Sequence, residues 1–279
     1  PTMTQHKRLG LALGGGGARG LAHIAILETL DSMEQAVEII SGTSIGAIIG
    51  ALYAAGLSGR EIREAIDELI RPPRSLNEVR AAKRLFGWID LLGVEFGRSH
   101  LLEADTFIAE LQQLLGAETF EELDIPLKLV AADFWNRSEV VFDSGPLLPA
   151  IAASFSLPGV FRPVVIDDRV LVDGGCVNPV PFDLIRAQCD VLVAVDVMGT
   201  RTPQEDLLPS FSEALFNTYQ IAERTITRQK MNSHPPEILL EPSISDVRML
   251  EFQKAEQIYS QCQPSCRDLE MRLPPLIAG

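Results

Sequence analysis

Apolar residues fall into short runs along most of the chain, and amphipathic stretches separate those runs. Buried strands are predicted by LGLAL ending at residue 13, by VEII at 37–40 and by DVLVAVDVM at 190–198. Helical spacing of apolar positions follows from about Leu21 to Leu30, and it recurs after Ser210. This alternation predicts an α/β protein with three α/β/α layers and a mostly parallel central sheet.

Local signals place several element boundaries. Capping boxes at Ser58–Glu61 and Ser210–Glu213 predict helix starts, and Gly116 predicts the end of a helix in ADTFIAELQQLLG. The stretch VVIDDRVLVDGG predicts a hairpin that turns at Asp167–Asp168. No repeat or linker interrupts the pattern, so we expect a single domain over residues 1–279. Its motifs lie at about 8–200 and its C-terminal helices at about 205–279.

Composition narrows the class of partner. The chain has 279 residues, of which 46% are apolar and 22% are charged, which is enough for a real core. The net charge of −14 and the scarcity of Lys/Arg clusters argue against nucleic acid and against electrostatic docking on anionic lipid. No apolar run approaches the roughly 18–20 residues of a membrane span, and the first residues lack a secretory signal. We expect a cytoplasmic protein, and peripheral contact at the inner membrane surface stays open.

Four consecutive glycines in LALGGGGARGLAHI follow the first predicted strand and precede the first predicted helix. The segment Gly15–Gly20 fits G-x-G-x-x-G, which in that context is typical of a dinucleotide site. Glu38 lies close to the acidic position that such sites use for a ribose. A P-loop is excluded, because no Lys-Ser/Thr ending follows the glycines. One hypothesis is therefore a nucleotide-binding regulatory module.

A second motif changes the interpretation of these glycines. In EIISGTSIGAIIGALYAAG, the residues Gly42-Thr43-Ser44-Ile45-Gly46 fit G-x-S-x-G between a predicted strand and a predicted helix. Such a nucleophile elbow presents a serine hydroxyl at a turn too tight for larger neighbours. If Ser44 attacks an ester, the glycine loop next to it offers backbone amides to the oxyanion. Arg19 then holds the loop or meets a substrate phosphate.

The serine needs a base, and two candidates remain. Of the histidines, only His234 fits the chain order Ser–Asp–His, but NSHPPE is typical of a surface turn. Asp173 in VLVDGG ends an apolar strand, which is where α/β sheets place functional residues. A plain β-turn aspartate would give the same pattern.

Together, GGGGARG, GTSIG and DGG resemble the motifs of bacterial patatin-like phospholipases, which are Ser–Asp dyad lipid acyl hydrolases. The resemblance covers about residues 8–200 and includes ASFSLPGVFRPV (153–164) and GGCVNPVPFDLI. It implies a patatin-like fold with Ser44 as nucleophile and Asp173 as base. Gly14 departs from the family pattern, in which many members carry aspartate, and this leaves the anchoring of the loop open. The implied oxyanion hole is Gly15, Gly16, Gly17, Ala18 and Arg19, and Gly174 and Gly175 complete the D-G-G motif.

The resemblance implies an ester hydrolase of phospholipase A or lysophospholipase type, which acts on lipid or other acyl esters without a metal or cofactor. The alternatives are a His234-dependent esterase and the nucleotide-binding module. The apolar segment 84–97 closes the core or, as a second hypothesis, forms a lid with transient apolar membrane contact. We expect reduced thiols at Cys176, Cys189, Cys262 and Cys266, whose number and spacing fit neither a disulfide framework nor zinc.

Overall fold

The computed structural model describes residues 7–70, 105–200 and 208–278. His6 and His100 lie outside these ranges. The segment 84–97 also lies outside them, so its assignment to the core or to a lid stays a prediction.

The described strands form one sheet. They are β1 (Leu9–Leu13), β2 (Val37–Thr43), β3 (Leu127–Asp133), β4 (Ser138–Phe142), β5 (Val164–Ile166), β6 (Arg169–Asp173), β7 (Val191–Val195) and β8 (Ile238–Leu240). Their order is β5-β6-β3-β2-β1-β7-β8, with β4 also paired to β3. The block β3-β2-β1-β7-β8 is parallel, whereas β4, β5 and β6 pair antiparallel. The predicted mostly parallel sheet is confirmed, and of its antiparallel side the sequence indicated only the hairpin of β5 and β6.

Helices surround this sheet. In the described ranges they are α1 (Ala22–Ser32), α2 (Ile45–Ala54), α3 (Gly59–Ile70), α4 (Asp105–Leu115), α5 (Leu147–Phe155), α6 (Phe211–Met231) and α7 (Ala255–Ile277). None of these described helices is both long and apolar enough to span a bilayer.

The two faces of the sheet are covered unequally. Leu9, Leu11 and Leu13 of β1 belong to the main core, which also contains buried residues of α1, α2 and α7. Ala12, on the other face of β1, belongs to a smaller cluster around Phe182. Short 3₁₀ turns at 182–188 and the end of α6 at Met231 pack there. Side chains alternate across a strand, so β1 is buried on both faces.

Hydrogen bonds and backbone angles confirm the two predicted helix starts and the predicted hairpin turn. Ser58 N donates to Glu61 Oε2 at 2.8 Å, and a complete capping box joins Ser210 and Glu213 at the start of α6. Asp167 and Asp168 have φ values of 49° and 60° between β5 and β6. Two successive positive φ angles match the twist of a two-residue hairpin, so the predicted hairpin is confirmed.

Helix α5 is an element that the apolar pattern missed. Its sequence LLPAIAASF packs against α2, β3 and β6, and its less buried face carries Leu148, Pro149 and Ala152. Because that outer face is also apolar, the helix lacks the polar stripe that produces a 3.6-residue period. The structure therefore adds to the predicted order a helix that matters for the site, because it contributes Ser154.

Candidate active site

Ser44 stands at the turn between β2 and α2, in a backbone conformation that few residues adopt. Its φ and ψ are 57° and −122°. A Cβ on Gly42 would lie 2.6 Å from the carbonyl oxygen of Gly46, and one on Gly46 would overlap the carbonyl oxygen of Leu13. Both glycines are therefore sterically required. The strained serine at the positive end of α2 has the backbone of a nucleophile elbow.

The register of the sheet brings Asp173 to this serine. Thr43 of β2 pairs with Val130 of β3, and the next residue, Ala131, pairs with Asp173 of β6. The residue after Thr43 and the last residue of β6 therefore lie at the same level along β3. The antiparallel direction of β6 is what places its final residue beside the end of β2.

A short hydrogen bond joins the two side chains. Ser44 Oγ donates to Asp173 Oδ2 at 2.5 Å, and both residues are buried. The other carboxylate oxygen, Oδ1, accepts from Gly175 N at 2.7 Å and from Tyr219 Oη at 3.5 Å. Ser44 N donates to Ser154 Oγ at 2.9 Å. Ser44 and Asp173 are thus each contacted by further protein groups.

The environment of Asp173 makes it more basic than an ordinary aspartate. Burial raises the pKa of Asp173 from its usual 3.8 to about 6, against hydrogen bonds from Ser44, Gly175 and Tyr219 that favour the ionised form. At pH 7 the carboxylate is therefore still deprotonated. Its raised pKa lies closer to the working pH, as suits a general base.

The glycine loop lies beside the nucleophile. A Cβ on Gly15 would be 3.4 Å from Ser44 Cβ. The amides of Gly15 and Ala18 already donate to the carbonyl oxygens of Pro179 (2.9 Å) and Met249 (2.6 Å). The amides of Gly16 and Gly17 have no hydrogen-bond acceptor within the described part of the chain. Of the five predicted oxyanion-hole residues, these two retain free backbone donors.

Arg19, the fifth residue predicted for the oxyanion hole, is buried. A Cβ on Gly199 would lie 2.9 Å from Arg19 Cδ, so the side chain packs against the segment that follows β7. Its Nε and Nη2 find no acceptor among the described residues. Burial lowers the pKa of Arg19, and the charges of Glu223 and Asp196 oppose this. The structure thus places Arg19 where it can hold the loop.

His23 anchors the glycine loop. The ring is buried on α1, and its Nε2 lies 2.8 Å from the carbonyl oxygen of Gly14. Burial lowers the pKa of His23 to about 4, with the bond to Gly14 opposing it. The ring is therefore neutral at pH 7, and Nε2 must carry the hydrogen that it donates. This contact holds the loop at Gly14, the position that departs from the family pattern.

The residues of the two alternative hypotheses lie away from this site. His234 is exposed in the turn between α6 and β8, at the end of the sheet where the parallel strands begin. Glu38 is the second residue of β2 and is exposed at that same N-terminal end of the strands. Ser44 follows the last residue of β2, so it lies at the opposite, C-terminal end of the strands. The structure brings neither residue to the serine or to the glycine loop.

Ser154, Tyr219 and Glu223 lie around Ser44 and Asp173, and the sequence alone does not identify them. Ser154 stands in the quoted block ASFSLPGVFRPV, yet a serine in an apolar segment gives no specific signal. Tyr219 and Glu223 are four residues apart on α6, so they share a helix face. That spacing was the only signal that could have paired them.

Within the described ranges, no group of His, Cys, Asp or Glu side chains is arranged to hold a metal ion. All four cysteines are free thiols.

Comparison with known proteins relates the chain to a family. The family model for patatin-like phospholipases matches residues 11–185. An uncharacterized NTE family protein of Mycobacterium tuberculosis is 33% identical over 212 residues, which are 75% of this chain and 55% of that protein. A patatin-like phospholipase domain-containing protein of Caenorhabditis elegans is 34% identical over 221 residues, 77% of this chain and 15% of that protein. The chain thus spans about half the length of the mycobacterial relative.

Solved structures also align with this chain at low identity. VipD from Legionella pneumophila aligns with a TM-score of 0.49 and 12% identity, over 95% of this chain and 67% of that one. Human GIVD cytosolic phospholipase A2 aligns with a TM-score of 0.49 and 12% identity, over 97% of this chain and 59% of that one.

Proposed function

The chain belongs to the patatin-like phospholipase family, and from that premise we propose that it is a serine acyl hydrolase of lipid esters with a Ser44–Asp173 dyad. The observation that carries the proposal is the 2.5 Å hydrogen bond from Ser44 Oγ to Asp173 Oδ2 at a strained elbow. Nucleophilic catalysis by serine requires a hydroxyl that is hydrogen-bonded to a base, and a buried carboxylate of raised pKa can be that base.

The reaction proceeds in two halves. Asp173 accepts the proton of Ser44 as Oγ attacks the ester carbonyl, and the resulting tetrahedral oxyanion collapses to an acyl-enzyme. The alcohol leaves with the proton that Asp173 held. Asp173 then takes a proton from water, whose oxygen attacks the acyl group, and Ser44 recovers its proton as the fatty acid departs.

The oxyanion is stabilised by the amides of Gly16 and Gly17 in this proposal. They are the loop amides without an acceptor in the described structure, and Gly15 lies against Ser44 Cβ. Loss of one such donor typically costs about 2.7–4 kcal/mol of transition-state stabilisation. The free amides at the start of α2 add a favourable dipole at the same point.

The substrates are acyl esters of lipids, by phospholipase A or lysophospholipase chemistry. Family membership supports a lipid ester. Ser44 and Asp173 are both buried, which supports a substrate whose ester carbonyl reaches Ser44 away from bulk water. The proposal includes access of the substrate from a membrane surface. The contact with that surface is apolar in this proposal, because the chain's charge of −14 disfavours attraction to anionic lipid.

A fluorophosphonate probe tests the proposal directly, because it reacts with an activated serine hydroxyl. We expect the wild type to be labelled at Ser44 and to hydrolyse at least one ester of a panel that includes lysophospholipid and diacyl phospholipid. Ser44→Ala should lose both signals. His234→Ala, a matched change at the exposed histidine, should keep both. Labelling elsewhere, or activity that depends on His234, would contradict the dyad.

A further inference from the structure

Helix α6 packs over the turn that carries the catalytic aspartate. It spans Phe211–Met231 and contacts the 3₁₀ turn Gly174–Cys176 directly after Asp173. This helix lies outside residues 11–185, the part that the family model matches. Two of its side chains, Tyr219 and Glu223, face the turn from one side of the helix.

Tyr219 contacts the base itself. Its hydroxyl donates to Asp173 Oδ1 at 3.5 Å, the oxygen that also accepts from Gly175 N. Burial raises the pKa of Tyr219, so the phenol keeps its proton and can only donate to a carboxylate. This contact lies on the oxygen that does not face Ser44.

Glu223 fills the space above Gly175. A Cβ on Gly175 would overlap Glu223 Oε1 and would lie 2.9 Å from Tyr219 Oη and 3.1 Å from Asp173 Oδ1. The three oxygens therefore converge on the glycine. Glu223 is itself only 4% exposed. A side chain at this position would have to displace that carboxyl group.

Charged side chains from four segments of the chain lie near Glu223. Burial, together with Asp173 and Asp196, raises the pKa of Glu223 well above 4.5, and Arg19 opposes this. Arg224 on α6 also faces Asp196 and Arg19, and its guanidinium donates to the carbonyl oxygen of Gly199 at 2.6 Å. A protonated Glu223 adds no second negative charge beside the base.

We propose that Tyr219 and Glu223 are positioning residues of the dyad, which hold Asp173 Oδ1 and the Gly175 turn so that Oδ2 faces Ser44. The inference rests on the proposed function and extends the catalytic site to α6. A carboxylate has two equivalent oxygens, and rotation about its Cβ–Cγ bond would misdirect it. A donor fixed on one oxygen prevents that rotation and lowers the proton affinity of the other.

Three variants and one control test this role on a soluble ester. Tyr219→Phe keeps the ring but removes the donor, and we expect kcat to fall about fivefold to tenfold with KM unchanged. The acid limb of the pH profile should move upward by about 0.5, because the carboxylate loses a stabilising hydrogen bond. Glu223→Ala should lose about tenfold in kcat, and Glu223→Gln should recover most of that loss. Thr218→Ala, an exposed change on the same helix, is the control.

The outcomes separate the two proposals. If Tyr219→Phe and Glu223→Ala match Thr218→Ala in kcat and acid limb, the positioning role is wrong while the hydrolase stands. If the wild type neither hydrolyses an ester nor reacts with the fluorophosphonate, both proposals fail. Melting temperatures within a few degrees of wild type show that a loss of kcat is not a loss of fold.

The contact at Gly175 offers an independent check. Gly175→Ala should reduce kcat, because the added methyl group pushes on Glu223 Oε1. The double variant Gly175→Ala/Glu223→Ala should then be more active than Gly175→Ala alone, since the obstructing carboxyl is gone. A double variant that is no better than the single one would overturn the assigned contact.

Discussion

The two sides of the proposed dyad are built in different ways. Ser44 and the glycine loop come from one stretch, residues 9–54, and backbone shape defines this nucleophile side: a positive φ at Ser44, close approaches at Gly42 and Gly46, and loop amides without an acceptor among the described residues. The base side draws on segments far apart in the chain. There, the Asp173 carboxylate depends on Tyr219 and on the amide of Gly175.

This difference predicts two kinds of response to mutation. Changes to the supports of the nucleophile side, His23 and Ser154, should alter the rate without moving the pH dependence, because the His23 ring stays neutral above a pKa of about 4 and Ser154 carries a hydroxyl that does not titrate in this range. Changes on the base side should alter the pH dependence as well, because each contact there favours or disfavours the ionised form of Asp173.

The largest effect is expected at the nucleophile. Ser44→Ala should reduce kcat by about 10⁴-fold or more, measured on a soluble ester. Ser44→Gly should be equally inactive but more stable than Ser44→Ala, by about 1 kcal/mol, because glycine adopts a φ of 57° without strain. Thermal unfolding of the two inactive variants isolates the strain, since both lack the hydroxyl. Equal stability would mean that the elbow stores none.

Asp173→Asn should come next, with a loss of about 10²-fold or more in kcat/KM. The wild-type profile should fall below a pH near 6, where the base becomes protonated. The same variant should gain stability. A raised pKa means that the folded state favours the protonated acid, so wild-type stability falls as pH rises from about 4 to 6.

Asparagine does not ionise, so the variant avoids the stability that the wild type loses when Asp173 is deprotonated. We place that loss at about 3 kcal/mol above pH 7. The gain in melting temperature should therefore be large at pH 7.5 and small at pH 4. A gain of the same size at both pH values would contradict the raised pKa of Asp173.

The same contrast explains how far sequence reasoning reached. Gly42, Ser44 and Gly46 form a local motif whose steric logic is complete within five residues, so the strained turn could be predicted. The capping boxes and the Asp167–Asp168 hairpin are equally local, and the structure confirms them. These features depend only on residues that are close in the sequence, so they can be predicted without the tertiary structure.

The base side could be predicted only in part. Asp173 was selected as a strand-end acid, but its contact with Ser44 depends on the antiparallel pairing of β6 with β3, which apolar patterning does not reveal. Tyr219 lies 46 residues further along the chain. The support of the glycine loop by His23 and Met249 likewise depends on tertiary packing. Contacts between distant segments leave no periodic signal.

A smaller effect should follow from loosening the glycine loop. His23→Leu removes the donor to the carbonyl oxygen of Gly14, and we expect about a tenfold loss of kcat. His23→Gln should recover part of that loss, because its amide can donate from a similar position. The acid limb should stay where it is in the wild type. A shift like the one expected for Tyr219→Phe would break the distinction between the two sides.

The smallest effect is expected at Ser154, which touches the nucleophile only through its backbone. Ser154 Oγ accepts the hydrogen bond of Ser44 N at 2.9 Å, and the hydroxyl is fully buried. Ser154→Ala leaves that amide without its acceptor, so the strained turn loses one constraint. We expect a loss of about threefold to fivefold in kcat with an unmoved acid limb.

Ser156→Ala is the matched control for this last change. Its hydroxyl donates to the carbonyl oxygen of Ala152 within the same segment, and its contact with the base, through the carbonyl oxygen that accepts from Asp173 N, does not involve the side chain. Both variants remove one hydroxyl near the end of α5, so they should cost similar stability in thermal unfolding. Only Ser154→Ala should slow fluorophosphonate labelling of Ser44. Equal labelling rates would show that the elbow keeps its conformation without α5, and that its strain is sustained by the glycines alone.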